Sequence, residues 1–436
     1  MTINYSFLRP LKAAHLQKWY SSPFEKRRDL KVEKYKNATI LPLKRVEGDD
    51  LLFGRGGVVT ERGQYVELSA IKDRIQFSYE CLNNSFVDEK VVYCGYLVNQ
   101  WGHFLIEAAA RLWFFLKEDD DSINHYVFFL QHNEKRIISG NYREFFELLG
   151  IWNKVSFINQ PTQYREVIVP EIGYGRMVYY TEPFKDVFFK ICNEALSKSN
   201  GMNLKGYSKI FFSRSQIKDI GKKEFGLDLL DHYFQKNGYK VLHPEKMTLS
   251  ELLFYMNKAD EIAMLSGSVH HNVLFAEDNK KIILIERNVI NNEIQVDINR
   301  MKNLSVDYID ANIPIYSVHI GYGPFIMAYN KYFERYSIER NMTPPNPKYC
   351  SKGYLKKLFK GYMRSYVRKF RFQWIMEDWC IKYTDMLREG YNDGFELFGN
   401  FLTGDKPFCL KHLFDVHLWK NKLQKLIVFF YFKYHK

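Results

Sequence analysis

The 436-residue sequence predicts an α/β protein: two domains, each a parallel sheet flanked by helices and facing a common cleft, followed by a basic helical extension. Three observations carry this expectation. Short apolar runs alternate with amphipathic segments over residues 90–290. The chain is 46% hydrophobic with only 25 Gly and 13 Pro, which excludes disordered and collagen-like classes and leaves enough length for two or three cored domains. The charge is lopsided: residues 348–436 hold 18 Lys and Arg against 8 Asp and Glu, so +10 of the net +13 lies in the tail.

In chain order, the N-terminal domain spans residues 1–200. A strand at 91–94 leads through Asn99-Gln100-Trp101-Gly102 into a helix over 103–117. A strand at 125–130, a helix at 142–149 and strands at 155–158 and 167–169 follow. The polar run 197–201 separates this unit from a second domain over 201–325, whose grammar is clearer. Strands are expected at 209–213, 239–242, 261–265 and 281–285. Helices are expected at 227–236, from Thr248 or Ser250 to Ala259, and over 270–276. A connecting helix over 322–340 should return toward the N-terminal domain, and the Pro-rich run 343–347 should link it to the tail, the third region being 326–436.

In parallel sheets ligands bind beyond the carboxyl ends of the strands, which directs attention to three groups of residues. His103, Glu107 and Arg111 recur every four residues and share one helical stripe. An imidazole near a helix N-terminus is kept neutral and able to accept a proton; the carboxylate would orient it and the arginine hold the carboxylate. A structural polar stripe is the competing reading. Ser213-Arg214 stands directly after a strand, where an arginine suits a phosphate or diphosphate. Ser266-Gly267-Ser268-Val269-His270-His271-Asn272 joins a strand to a helix, and small residues there let backbone N–H groups approach an anion. It is neither a Walker A loop nor a dinucleotide fingerprint, so nucleotide hydrolysis and dinucleotide binding gain no support. Of the two adjacent histidines, one is expected to meet the ligand while the other packs.

In their order and spacing these pieces resemble glycosyltransferase family 61. The resemblance rests on Asn99 to Glu107 with Arg111-Leu112, on Ile210 to Arg214, on Gly238 to Glu245 with Leu249-Ser250, on Gly267-Ser268 and Asn272 to Ala276, and on Ile283 to Glu286. It covers about residues 90–290. His270-His271 stands where the family more often has a small or apolar residue, and the tail has no counterpart in the family core. The resemblance implies a GT-B fold, a nucleotide-sugar donor on the second domain, and inverting transfer without a metal or other cofactor to a glycan or lipid-linked acceptor. Surface polysaccharide synthesis, such as capsule or O-antigen, is the implied setting. His103 would be the general base, with Glu107 as its orienter or as the base itself. Asn99 and Arg111 would support them. Ser213, Arg214, Ser266, Gly267, Ser268, His270 and Asn272 would hold the donor and its phosphates, and Glu286 would meet ribose or sugar hydroxyls. Glu118 to Asp121 is read as a solvated acidic turn and not as a metal motif.

The tail opens with nine Lys and Arg and no acid over 348–376. Lys352, Lys356, Lys360, Arg364 and Arg368 form one stripe; Leu355, Phe359, Tyr362, Tyr366 and Phe370 form the other. The pattern suits an anionic membrane surface, with the apolar run 426–432 as a second anchor; packing of the aromatic face on the body is the alternative. No recognised nucleic-acid module accompanies it, so nucleic acid is not an expected partner. Six cysteines without metal spacing and an N-terminus without a signal-like apolar core point to a cytoplasmic protein, peripheral on the inner membrane face. A transferase-like scaffold docking through its tail is the rival to an enzyme.

Overall fold

A computed structural model of the chain describes residues 1–46, 54–71, 76–81, 84–118, 120–130, 138–314 and 323–370, with 385, 386, 389, 390 and 393. The closing run 426–436 and Asp119 lie outside the described residues, as do the side chains of Tyr366, Arg368 and Phe370.

The fold is α/β, with two six-stranded sheets. One is wholly parallel, in the order Thr2–Phe7, Ser305–Asp310, Lys281–Glu286, Glu261–Leu265, Lys209–Phe212 and Lys240–Leu242. Its central strands are apolar on both faces, as burial beneath helices requires; Ile262, Ala263, Met264 and Leu265 are all fully buried. The other sheet is mixed, in the order Arg55–Val59, Val32–Lys44, Thr162–Pro170, Ser85–Tyr96, His125–Phe129 and Val155–Ile158. Its last four strands run parallel, and Val32–Lys44 runs antiparallel to both neighbours.

The helices follow local chemistry. Leu227–Lys236 and Leu249–Lys258 stand where the apolar spacing puts them, the second opened by a capping box between Thr248 and Glu251. Three expectations are corrected. The continuous helix over 103–117 is broken into Trp101–Ile106, a 3-10 turn Ala108–Arg111 and Trp113–Lys117. The turn tightens where Arg111 leaves the helical stripe and Gly173 N–H donates to the Ala110 carbonyl (2.7 Å). The helix expected over 322–340 is a two-residue strand, Phe325–Ile326, and a shorter helix, Lys331–Glu339. Asn330 sets that start by accepting from the N–H groups of Tyr332 and Phe333. The helix covers the edge strand Thr2–Phe7 and its neighbour Ser305–Asp310, with Phe7 and Tyr336 edge to face at 5.2 Å, and does not return to the mixed sheet. The first strand, assigned by position to the N-terminal domain, is the edge of the parallel sheet.

Arg9 and Lys12 explain that last placement. Both are buried, and they neutralise Asp310 and Glu286 at the carboxyl ends of the two neighbouring strands. Arg9 also reaches Asp393 of the tail at 2.6 Å.

The tail helix Lys352–Phe370 lays Leu358, Phe359 and Tyr362 against the body, where Gly361 meets the Phe225 ring. Packing on the body is thus the outcome for this part of the aromatic face. Lys352, Lys356, Lys360 and Arg364 remain exposed. No helix among the described residues is long and apolar enough to cross a membrane.

One apolar core joins the two sheets. Phe145, Phe188 and Phe275 meet edge to face, and helix Glu182–Ser199 packs between helices of both halves. Glu144, from helix Asn141–Leu149 of the first half, caps helix Leu249–Lys258 of the second. Its carboxylate accepts from Leu249 N–H (2.7 Å), Ser250 N–H (3.1 Å) and the Ser250 hydroxyl (2.5 Å). Glu144→Ala should lower the unfolding free energy by about 2 kcal/mol, read from urea midpoints, and Glu144→Gln should lose less. Equal midpoints for Glu144→Ala and the native protein would remove the cap from the account.

Candidate active site

The strand Ser85–Tyr96 ends at the junction of the two sheets, and the short helix Trp101–Ile106 begins five residues later. His103 lies on this helix with its Nδ1 at 2.7 Å from Glu107 Oε1, and both side chains are partly open to solvent. A carboxylate only accepts, so Nδ1 is the ring nitrogen that donates to Glu107. Of the two roles held open for Glu107, orienter is the one this geometry favours.

Arg111 does not join them. It is fully buried, and its guanidinium donates to the carbonyls of Pro170 (2.9 Å), Leu68 (2.7 Å) and Ala70 (3.1 Å). The helix break after Ile106 rotates it off the stripe, so its support is to the backbone around the site and not to Glu107.

The second group stands at the carboxyl ends of Lys209–Phe212, Glu261–Leu265 and Lys281–Glu286. Arg214 grips Glu224 through Nε (3.1 Å) and Nη2 (3.0 Å). Arg287 Nη1 bonds the same carboxylate from the other side. Two guanidiniums on one carboxylate leave a net positive charge. Burial beside Arg214 draws the Arg287 pKa down to about 10, with Glu224 opposing. The remaining N–H groups converge on Gly267: a Cβ there would stand 3.0 Å from Arg287 Nη2 and 3.5 Å from Arg214 Nη1. Gly267 has φ +146°, a conformation almost restricted to glycine, so both backbone and space exclude a side chain. Ser266 Oγ accepts from Arg287 N–H at 3.0 Å and steadies the loop, and Ser268 is exposed beside it. Ser213 is buried and bonds Ser215, so it shapes the turn carrying Arg214.

Arg287 stands among the residues that follow strands but was given no role in the site, and Glu224 was not expected there at all. Arg287 directly follows a strand, which is a signal; nothing local marks Glu224, because its role depends on two arginines distant in sequence.

The two histidines point apart, as adjacent residues on a turn must. His270 is buried on the arginine side, and burial with the neighbouring charges of His271, Arg287 and Arg214 holds its pKa well below the ordinary value. His271 faces the first half, its ring against Gly102, and burial lowers its pKa to about 4. Asn272 Oδ1 accepts from Trp101 Nε1 at 2.6 Å, so this residue ties the two halves together. Glu286 is turned away from Arg214 toward Lys12 (3.5 Å) and Asn291 (3.3 Å), in the buried ion cluster with Arg9 and Asp310. The structure thus unites Arg214, Ser266, Gly267 and His270 in one group and His103 with Glu107 in another. It separates Arg111 and Glu286 from both.

A cavity of about 1080 Å³ opens between the halves on the Trp101 side. Asn99, Trp101 and Tyr142 line it from one half, and Lys246, Val269 and Asn272 from the other. Its walls are the segments that follow parallel strands of both sheets, the place where such sheets hold ligands. Among the described residues no group of three or more His, Cys, Asp or Glu is arranged to hold a metal ion.

Below Glu107, Asp297 is fully buried and accepts from Tyr174 OH and Met177 N–H, both at 2.7 Å. Burial raises its pKa to about 6, against the pull of those two donors. A carboxyl whose folded pKa exceeds its unfolded one binds more protons when folded. Its contribution is therefore fully present below about pH 4 and is lost as pH rises to about 6. Asp297→Asn should remove that loss, so the variant should gain on the native protein by up to about 2 kcal/mol between pH 4 and pH 7 in urea titrations. A pH-independent difference would remove Asp297 from the titration.

Residues 101–283 match the family model for Glycosyltransferase 61, a span that begins at Trp101 and includes His103, Glu107, Arg214, Glu224 and Gly267. No curated protein matches the chain. By that match, over the segment that holds His103, Glu107, Arg214 and Glu224, the chain is a glycosyltransferase enzyme.

Proposed function

We propose that the protein is an inverting, metal-independent glycosyltransferase of GT-B type, moving a sugar from a nucleotide-sugar donor to a glycan or lipid-linked acceptor in surface polysaccharide synthesis. The observation that carries this reading is the arginine pair. Arg214 and Arg287 share Glu224 and turn their remaining N–H groups onto Gly267 at the carboxyl edge of a parallel sheet. Two fixed guanidiniums suit a diphosphate, whose charge grows as it leaves.

In the transfer step, the acceptor hydroxyl gives its proton to His103 Nε2 while its oxygen bonds to the anomeric carbon. The bond from that carbon to the diphosphate oxygen breaks on the opposite face. The leaving diphosphate takes the electron pair and is held by Arg214 and Arg287. Glu107 stabilises the imidazolium through Nδ1–H. His103→Ala should reduce transfer by about 10²–10⁴-fold and leave nucleoside diphosphate affinity unchanged. Arg214→Ala should weaken that affinity by about 2 kcal/mol in calorimetry. Native protein that binds no nucleoside diphosphate would favour the scaffold reading.

The exposed Lys352, Lys356, Lys360 and Arg364 ridge supports a cytoplasmic, peripheral position on an anionic membrane face. With Phe359 and Tyr362 packed on the body, attachment by this helix rests on charge and should fade with salt. Co-sedimentation with phosphatidylglycerol vesicles should fall at least tenfold for Lys356→Glu combined with Lys360→Glu. Equal sedimentation of variant and native protein would sink the ridge as a membrane contact.

A further inference from the structure

The residues that hold Arg287 come from two short strands. Glu224–Phe225 and Phe325–Ile326 pair in parallel, with Glu224 opposite Phe325. Phe325 N–H donates to the Lys223 carbonyl (2.7 Å), and Met327 N–H donates to that of Phe225 (2.8 Å). Glu224 bonds Arg287 Nη1, and the guanidinium carbon stands 4.5 Å over the centre of the Phe325 ring. One strand thus holds Arg287 by its edge and the other by its face. A ladder of two residues is too short to be stable alone, so another element must seat it.

The tail helix Lys352–Phe370 packs on both strands. It is notched at Gly361, where a Cβ would stand 2.6 Å from Cε1 of the Phe225 ring. Glycine inside a helix costs about 1 kcal/mol against alanine, and the ring that fills the notch explains its place here. Leu358, Phe359 and Tyr362 are buried on the same helix, whereas Gly353, about two turns earlier, faces open space. The family match ends at residue 283, so the helix, Phe325 and Arg287 all lie beyond it.

We propose that the tail helix positions the diphosphate site: by receiving the Phe225 ring, Gly361 seats the strand pair that fixes Arg287 through Glu224 and Phe325. Because Glu224 also grips Arg214, both guanidiniums depend on this seat. Gly361 is a positioning residue that acts through Phe225. The proposal rests on the diphosphate reading given above and adds to the site a segment outside the matched family region.

Calorimetry with inorganic pyrophosphate on the full chain tests it. Gly361→Leu should weaken binding by about tenfold, the equivalent of one charge-assisted hydrogen bond, and Gly353→Leu should bind as native protein does. Adding Phe225→Ala to Gly361→Leu makes room for the new side chain and should recover most of the loss, which a general loss of stability would not do. A measurement on native protein covers the case in which Gly361→Leu fails to fold. Coupling is reciprocal, so saturating pyrophosphate should slow amide exchange in residues 355–362 more than in helix Glu182–Ser199. Native affinity in folded Gly361→Leu, an equal loss in Gly353→Leu, no recovery with Phe225→Ala, or equal exchange changes in the two helices would overturn the positioning role. Native protein that binds no pyrophosphate would instead reject the diphosphate site, and this role with it.

Discussion

The two halves of the molecule meet at a glycine. Gly102 lies so close to the His271 ring that a Cβ would fall 2.4 Å from its Cδ2, and the neighbouring pair, Trp101 and Asn272, is bonded at 2.6 Å. Any side chain larger than hydrogen at 102 would push the short helix Trp101–Ile106 away from the turn Ser268–Phe275. Consecutive residues on each side then serve different tasks. His103 follows Gly102 and presents its imidazole at the junction, while His270 precedes His271 and turns into the arginine cluster. The contact therefore sets how far His103 stands from the loop at Gly267.

Carboxylates do the rest of the positioning, each serving several donors. Glu107 orients one imidazole, Glu224 holds two guanidiniums, and Glu144 caps a helix across the junction. A buried charge is tolerated only when paired and hydrogen-bonded, so each of these sites couples parts of the chain that would otherwise be held by apolar contact alone. Glu224 has a further effect. By neutralising only one of two arginine charges it leaves the loop at Gly267 positive, and by gripping both it removes the rotamer freedom a diphosphate would otherwise have to restrict.

The ends of the chain are drawn to the parallel sheet by the same physics. Arg9 and Lys12 neutralise carboxylates at the ends of Lys281–Glu286 and Ser305–Asp310, and Asp393 reaches Arg9 from the tail. This cluster consumes Glu286, whose place at a strand end otherwise suits a ligand contact. The tail helix then divides its two faces: the apolar one closes over the Glu224–Phe225 and Phe325–Ile326 strands, and the basic one stays in solvent. The amphipathic pattern was legible, but a pattern of alternating faces does not say whether protein or lipid covers the apolar one.

Local periodicity was enough for the elements whose cause is local. Glu261–Leu265 is a buried strand because it is a short apolar run between turns, and Leu249–Lys258 starts where it does because Thr248 and Glu251 cap each other within four residues. The i, i+4 pairing of His103 with Glu107 is of the same kind. Arg111, one turn further on, was not legible, because carbonyls at 68, 70 and 170 outbid the helical stripe and the helix broke to reach them. The first strand pairs with residues about 300 positions away, Asn272 with a tryptophan 171 positions away, and Arg287 with a carboxylate 63 positions away. Sequence by itself determined the apolar strands and capped helices of residues 209–285, such as Glu261–Leu265 and Leu249–Lys258, and which residues stand at their ends. Only the tertiary structure decided which of those ends share a charge, since side-chain period is a property of a few neighbouring residues and ion pairing is a property of the packed sheets.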